Sequence, residues 1–226
     1  RVQGRGNASI PEWASTHPDP ASRVQSALAT AQASGATGGV TNRDTFLTRI
    51  DGITYGDDPS QGVVEGRQFI HPELRLAFTA PQGFFMVNGS DAVTINGQSG
   101  QAQFTMAPYS GNLDNYVTSV FSRLSQQQQI RPQSIQKTTV NGIPAAYGMV
   151  RVNSGNGQGD ATVFAYEFAK DRAFHFVTIT PAGRSSVFTP MYNSLRRISA
   201  SEAAAITPRR IDVVTVKPGD TVASLA

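Results

Sequence analysis

The spacing of the hydrophobic residues changes once along this 226-residue chain, and that change constrains the fold more than any other feature. Before residue 52 apolar residues recur at helical spacing, whereas beyond it they alternate with polar ones, as in Leu74–Phe78 and Gln103–Met106. Because type I′ hairpin turns need positive φ at both central residues, Asn-Gly pairs between such runs predict hairpins. Four such pairs occur, at residues 88–89, 96–97, 141–142 and 156–157. The pattern predicts an antiparallel meander.

Helices accompany these strands. Apolar residues follow i, i+3, i+4 spacing from Leu113 to Leu124, which predicts an amphipathic helix. A closing helix is predicted near residues 185–198, and further strands near 134–140, 144–153, 160–169 and 172–180. Strands and helices segregated in this way predict an α+β fold, with helices packed on a mostly antiparallel sheet.

The flanking segments have patterns of their own. A helix is predicted from Pro20 to Gly35, followed by a linker rich in Gly and Thr. Near the other end a strand is predicted over Ile211–Val216, and a turn at Lys217–Thr221 leads into a helix start. The predicted division is a tail of a preceding domain at 1–34, a linker and short helix at 35–51, an α+β domain at 52–200, and a connector with a truncated module at 201–226.

Composition excludes several classes of function. The net charge of +3 is spread thinly, without the run of Lys and Arg that a nucleic-acid-binding protein concentrates on one face. No stretch approaches the roughly 20 apolar residues of a membrane span. With zero cysteines, the sequence has neither disulfides nor a thiolate metal site. We therefore expect no nucleic-acid partner and no membrane-spanning segment.

The sequence predicts no complete active site. Its three histidines, at positions 17, 71 and 175, lie in three different segments, and H-E-x-x-H is absent. His175 shares a strand face with Val177 and Ile179, which predicts a hydrogen-bonded core histidine. His71 precedes Pro72 at a turn, which predicts a surface loop position. Carboxylates at 57, 58 and 65 could pair as acid and base, but any loop supplies such groups.

One N-terminal segment resembles a known family. The run from Ile10 to Val24, with Ser15-Thr16-His17-Pro18 followed by Arg23-Val24, is similar to the end of the catalytic domain in zinc metallopeptidases of the HtpX and CAAX prenyl endopeptidase type. The resemblance covers about a tenth of the chain. It implies that Thr16, His17, Pro18 and Arg23 lie on the cleft side of a late helix, that His17 is near the zinc ion, and that Arg23 pairs with an acidic group.

The same resemblance implies a cofactor and several partners. In the family the zinc ligands come from H-E-x-x-H and a downstream Glu, all of which would precede Arg1, so no metal ligand or catalytic residue can be assigned here. Zinc is expected in the parent protein and no cofactor in this chain. The implied partners are an upstream catalytic domain and its protein or peptide substrates, in the periplasm or cell envelope of a bacterium.

Two further resemblances follow along the chain. Residues 70–200, with Phe78–Phe84, the long helix and Val140–Ala145, resemble the Mog1/PsbP-like fold, whose members are generally binding modules. The run Val214–Ala226 is similar to the opening of a LysM-like module, which implies peptidoglycan as a partner, although the rest of such a module is missing. The residues of a glycan site are not identified by the sequence.

Together these resemblances predict the C-terminal accessory portion of a zinc-dependent endopeptidase, inactive alone because the metal-binding motif is absent from the sequence. The alternative is a non-catalytic adaptor or binding module of the cell envelope, in which the His-Pro segment only begins a helix. An in-frame H-E-x-x-H upstream of Arg1 would separate the two.

Overall fold

The computed structural model describes residues 20–35, 42–124, 130–154 and 157–225. The chain divides into two compact units, Arg1–Arg49 and Ile50–Ala226. In the first unit, helix α1 spans Pro20–Ala33, and helix α2 spans Arg43–Ile50, so that its last residue begins the second unit. Gly35, with φ of 63°, follows α1 as predicted, because a left-handed residue ends a helix readily.

The second unit contains eleven strands and four helices in its described residues. The strands are Val63–Glu65 (β1), Gln68–His71 (β2), Leu76–Thr79 (β3), Phe85–Asn88 (β4), Val93–Gly97 (β5), Gly100–Ala107 (β6), Gln136–Val140 (β7), Ile143–Ser154 (β8), Gly157–Ala169 (β9), Arg172–Pro181 (β10) and Arg196–Arg197 (β11). The helices are Leu113–Leu124 (α3), Thr189–Ser194 (α4), Ala200–Ala205 (α5) and Val222–Leu225 (α6). The predicted α+β class is confirmed.

Seven strands form one antiparallel sheet in the order β4-β5-β6-β10-β9-β8-β7. The β7–β8 hairpin has the predicted Asn-Gly turn, with Asn141 and Gly142 at φ of 48° and 77°. The other pairs do not follow that prediction in the described chain. Gly97 pairs with Gly100, so residues 98 and 99 form that turn, while the β4–β5 turn closes from Gly89 to Ala92. Residue 156 lies outside the described residues.

Helix α3 packs on one face of the seven-stranded sheet. Its predicted apolar stripe is buried at four positions, and Leu124 is exposed at the helix end. The buried stripe meets small and β-branched residues of β8, β9 and β10, which allow the helix to approach the strands closely. The core side chains of this layer are Tyr116, Val117, Val120, Phe121, Ala146, Val163, Ala165, Ala173 and Val177.

The opposite face of that sheet carries a second, largely aromatic core. It is covered by a smaller sheet of order β1-β2-β3-β11 and by the segment around α4. Phe78 of β3 contacts the rings of Phe104 and Phe176 at centroid distances of 4.8 and 5.0 Å. Phe188 and Tyr192 enter the same core from the α4 segment. The large sheet is thus packed on both faces.

The predicted closing helix is shorter than the sequence pattern indicated. A 3₁₀ turn over Ser185–Phe188 leads into the six residues of α4, and Leu195 then adopts extended backbone with φ of −62° and ψ of 127°. Its apolar spacing continues beyond Ser194, but Arg196 and Arg197 pair with β3 instead. Strand pairing across the chain therefore overrides the local helical pattern.

The strand predicted at Ile211–Val216 is not formed in the described chain. Only an isolated bridge joins Thr54 to Arg210, supported by hydrogen bonds between Ile211 and residues 52 and 53. Residues beyond Ile211 lack a neighbouring strand in the described chain, so their β-branched side chains do not lead to a ladder. None of the described helices is long and apolar enough to span a membrane.

Candidate functional site

The residues singled out by the peptidase resemblance lie mostly outside the described part of the chain. Thr16, His17 and Pro18 all precede residue 20. Arg23 lies on α1 with its side chain exposed, and it forms no ion pair with the described residues. The predicted arrangement of these four residues therefore stays a prediction.

The described histidines occupy two separate environments. Across residues 20–35, 42–124, 130–154 and 157–225, no three His, Asp, Glu or Cys side chains cluster as a metal site would require. His71 ends strand β2 and is partly buried, and its Nδ1 accepts a hydrogen bond from the backbone N–H of Leu74 at 3.3 Å. Its position differs from the predicted surface loop, because the strand continues up to Pro72.

His175 is a core histidine, as predicted. It is 4% exposed, and its Nδ1 lies 2.9 Å from the hydroxyl oxygen of Tyr116. That oxygen also accepts from the backbone N–H of Ala107 and donates to the carbonyl of Ala173, each at 3.0 Å. Burial, with a smaller effect of the charge of Arg123, lowers the pKa of His175 to about 4. A neutral histidine enclosed in this way serves packing between α3 and the sheet.

An open groove lies on the other face of the sheet, beside α4. It has a volume of about 450 Å³, within the range of ligand-binding clefts. Its floor belongs to β7, β8 and β9, and its wall to the segment 185–193. We call it the lateral groove; its lining residues are Thr138, Tyr147, Met149, Thr162, Phe164, Ser185, Ser186, Thr189, Tyr192 and Asn193.

A row of three nearly parallel rings runs across the lateral groove. Tyr147 and Phe164 face each other in the β8–β9 register, with ring centroids 5.1 Å apart and planes 2° apart. Phe164 then stacks on Tyr192 at 4.6 Å and 16°. Tyr147 is only partly buried, whereas the other two rings are almost completely enclosed. Tyr147 therefore presents the accessible end of the row to the groove.

Hydrogen bonds fix the inner end of that row. The hydroxyl of Tyr192 lies 2.6 Å from the hydroxyl of Thr178, and its backbone carbonyl accepts from the hydroxyl of Tyr166 at 2.8 Å. Burial raises the pKa of Tyr192 well above its ordinary value, so this phenol stays neutral. Because α4 is anchored to the sheet through Tyr192, the groove wall is held in place without a ligand.

Polar side chains on the rim of the lateral groove are not used by the fold. Thr138, Ser186, Thr189 and Asn193 are exposed. Their side chains make no hydrogen bonds to the described part of the chain, although the backbone carbonyl of Asn193 accepts from Asn141 at 3.0 Å. These hydroxyl and amide groups are free to contact a bound molecule.

Two of the other cavities are less suited to a ligand. One of about 340 Å³ contains Glu65 and Arg209, which pair with each other at 3.7 Å, and Asp57, which accepts from the backbone N–H of Val64 at 2.8 Å. The other, of about 160 Å³, lies beside His71 and Met106 and is smaller than the usual range for ligand clefts. In the first cavity the ionisable groups are already used by the fold, and the second leaves little space for a ligand.

The groove was not predicted from the sequence. The patterns single out neither Tyr147 nor Tyr192, because their contacts with Phe164 depend on the β8–β9 register and on the short helix after β10. The two-residue period of a strand could have placed Tyr147 on the same face as Ala145. The contact with Tyr192 is tertiary and has no local signal.

Two solved structures are similar to this chain at low sequence identity. A protein from Bacteroides thetaiotaomicron VPI-5482 is 11% identical with a TM-score of 0.45; the match covers 61% of this chain and 50% of that protein, so the chain spans about half its length. Cyanobacterial PsbP (CyanoP) from Synechocystis sp. PCC 6803 is 14% identical with a TM-score of 0.43, over 72% of this chain and 97% of that one. No protein family matches the sequence, and no curated protein is similar to it.

Proposed function

We propose that this chain is a non-catalytic binding portion of a bacterial zinc-dependent endopeptidase, and that its second unit holds a ligand in the lateral groove. The observation that carries the binding role is the groove itself: an open cleft with an anchored aromatic row and a rim of unused hydroxyl and amide groups. A site of this kind can hold and orient a molecule. It contains no pairing of nucleophile and base, since its lining residues include neither histidine nor a carboxylate.

The association with a peptidase is supported by the segment from Ile10 to Val24 and its resemblance to the end of such catalytic domains. In the proposed parent, His17 lies near zinc, and Arg23, which is exposed on α1, pairs with an acidic group of the catalytic domain. Zinc would polarise the scissile carbonyl and activate a water molecule there. This chain would contribute the cleft-side helix and a module that positions protein or peptide substrates.

The C-terminal run is proposed to contact peptidoglycan in the bacterial envelope. Its support is the LysM-like sequence together with the local structure: the backbone N–H of Lys217 donates to the carboxylate of Asp220 at 2.7 Å, and α6 follows at Val222. Thr221 and Ser224 cap each other at the start of that helix. The turn and helix start expected from the sequence are thus formed.

The test has two parts. Hydrolysis of azocasein by the purified chain, with and without added zinc, is expected to be undetectable, and zinc-dependent hydrolysis would refute the non-catalytic role. The DNA upstream of the Arg1 codon is expected to encode an in-frame H-E-x-x-H and a later Glu. A reading frame without these residues would refute the association with a peptidase. The alternative, an adaptor of the cell envelope, would then remain.

A further inference from the structure

We propose that the ligand of the lateral groove is a neutral glycan, bound through its sugar rings and hydroxyl groups. The inference rests on the proposed binding function and names the chemical class of the ligand. It concerns strands β7–β9 and the α4 segment, and is independent of the C-terminal run.

The residues that line the groove offer no charge to an ionic ligand. The ten lining residues include no Asp, Glu, His, Lys or Arg. Lys137, next to Thr138, pairs with Asp114 of α3 at 3.1 Å on the opposite face of the sheet. Arg151, one row beyond Met149 on the same face, pairs with the buried Asp160 at 2.5 Å. A phosphate, a nucleic acid or a charged peptide would find no counter-charge in the groove.

The polar groups of the groove match those of a sugar. Eight of the ten lining residues carry a hydroxyl or an amide, and only Met149 and Phe164 do not. Hydroxyl and amide groups both donate and accept, so they pair with sugar hydroxyls in either direction. The four rim residues with unused side chains surround the cleft from both sides, with Thr138 on the strand floor and Ser186, Thr189 and Asn193 on the wall.

The aromatic row supplies the apolar contact that a sugar also requires. A pyranose ring has C–H groups on its faces and hydroxyls at its edges, so it packs on an aromatic ring while its edges remain available for hydrogen bonds. Tyr147 is the accessible ring, and its stacking on Phe164 fixes its orientation before any ligand arrives. A preformed surface of this kind lowers the entropy lost on binding.

A peptide fits the groove less well. Extended peptides gain most of their affinity by adding a strand to an open sheet edge. The sheet edge nearest the groove is β7, whose central residues Lys137, Thr138 and Thr139 are polar. A lysine on an edge strand disfavours pairing with a further strand. The groove lies on the sheet face, where the backbone groups of β8 and β9 are already paired with each other.

The experiment is a titration of the ¹⁵N-labelled chain followed by NMR. The glycan probes are N,N′,N″-triacetylchitotriose, cellotriose and maltotriose, and the peptide probe is Ac-Ala-Thr-Ala-Gly-Ala-NH₂, each up to about 10 mM so that weak millimolar binding is detected. At least one glycan is expected to shift the amides of residues 147, 164 and 185–193, and the pattern among the three separates an N-acetylated sugar from a glucan.

Three variants test the proposed contacts between the groove and the glycan. Tyr147→Ala is expected to weaken glycan binding about tenfold or more, whereas Tyr55→Ala, an exposed tyrosine outside the groove, is expected to leave it unchanged. Thr138→Arg places bulk and charge at an exposed rim position without disturbing the core, and is expected to abolish binding. Glycan shifts outside the groove, or binding unaffected by both groove variants, would overturn the proposal.

The outcomes separate this inference from the proposed function. Groove shifts with the peptide and none with the glycans would overturn the glycan assignment and retain the binding role. If no probe shifts the groove, the glycan assignment is again overturned. The non-catalytic role is decided separately by the azocasein assay, which does not depend on the occupant of the groove.

Discussion

The hydroxyl oxygen of Tyr116 lies 2.9 Å from Nδ1 of His175, and the pair joins helix α3 to the middle strand of the large sheet. The same hydroxyl contacts the backbone of Ala107 and Ala173, so it satisfies groups on both β6 and β10. Replacing Tyr116 by Phe keeps the ring and leaves two buried polar groups and one partly buried one without this partner. We expect the free energy of unfolding to fall by about 1–3 kcal/mol, since unsatisfied buried groups carry their full desolvation penalty.

Urea denaturation of the two proteins measures that difference. Tyr55→Phe is the matched control, because Tyr55 is 67% exposed and its hydroxyl makes no hydrogen bond to the described residues. Equal stability of Tyr116→Phe and the parent protein would show that the network contributes nothing.

Acidification is expected to destabilise the protein through His175. Its pKa in the folded chain is about 4, below the usual 6.5, because burial and the charge of Arg123 disfavour the imidazolium. The neutral ring therefore stabilises the fold fully above pH 6.5, and that contribution is lost as the pH falls from about 6.5 to about 4. The loss amounts to about 3 kcal/mol.

The measurement compares the pH dependence of unfolding in the parent protein and in His175→Gln. Other titrating groups, including the partly buried His71, contribute to both proteins, so the difference between the two curves reports His175. Parallel curves between pH 4 and pH 6.5 would contradict the expected linkage.

Asn141 connects the β7–β8 turn to the end of α4. Its side-chain amide donates to the carbonyls of Asn193 and Leu195 at 3.0 and 2.8 Å, and its φ of 48° is one that Asn tolerates better than Ala. Asn141→Ala is expected to lower the free energy of unfolding by about 1–3 kcal/mol. Thermal and urea unfolding measure it against Asn153→Ala, an exposed strand position. A change no larger than in that control would mean that the turn and α4 are not coupled.

Asp160 is 2% exposed and accepts hydrogen bonds from Nε of Arg151 at 2.5 Å and from the backbone N–H of Gly183 at 2.6 Å. Asp160→Ala removes both and is expected to destabilise the protein by about 1.5–3 kcal/mol, the range for a hydrogen bond to a charged group, because the Arg151 side chain that remains is 51% exposed and stays solvated. Asp160→Asn retains an acceptor for Gly183 and should lose less. Unfolding of the two variants at the same denaturant concentration would contradict a contribution of the retained acceptor.

Local sequence patterns predicted the elements that are determined by residues close together in the sequence. The helix from Leu113 to Leu124 has the predicted bounds because its apolar stripe and its packing face coincide. The Asn141-Gly142 turn formed because its two residues tolerate positive φ and its strands are long. The class of fold could therefore be derived from period and turn chemistry alone.

Elements that depend on contacts with residues far away in the sequence could not be predicted. Arg196 pairs with Ala77, 119 positions away, and this contact ended the closing helix that apolar spacing had extended. Ile211–Val216 is rich in β-branched residues, as strands are, yet its described surroundings offer no ladder. The aromatic row of the groove depends on Tyr192 reaching Phe164 from another element. Strand register and tertiary contacts determine these three features, and patterns in a single sequence do not encode them.

The position of β10 in the large sheet sets the order in which the chain can be assembled during synthesis. Strands β4–β6 and β7–β9 have no ladder to each other in the described chain; each group pairs instead with β10, which lies between them. Because β10 is the last strand of this sheet to leave the ribosome, the nascent chain holds two open three-stranded pieces until residues 172–181 emerge. A chain that stalls before Arg172 therefore exposes the inner edges of β6 and β9 to any other strand, including those of a neighbouring nascent copy.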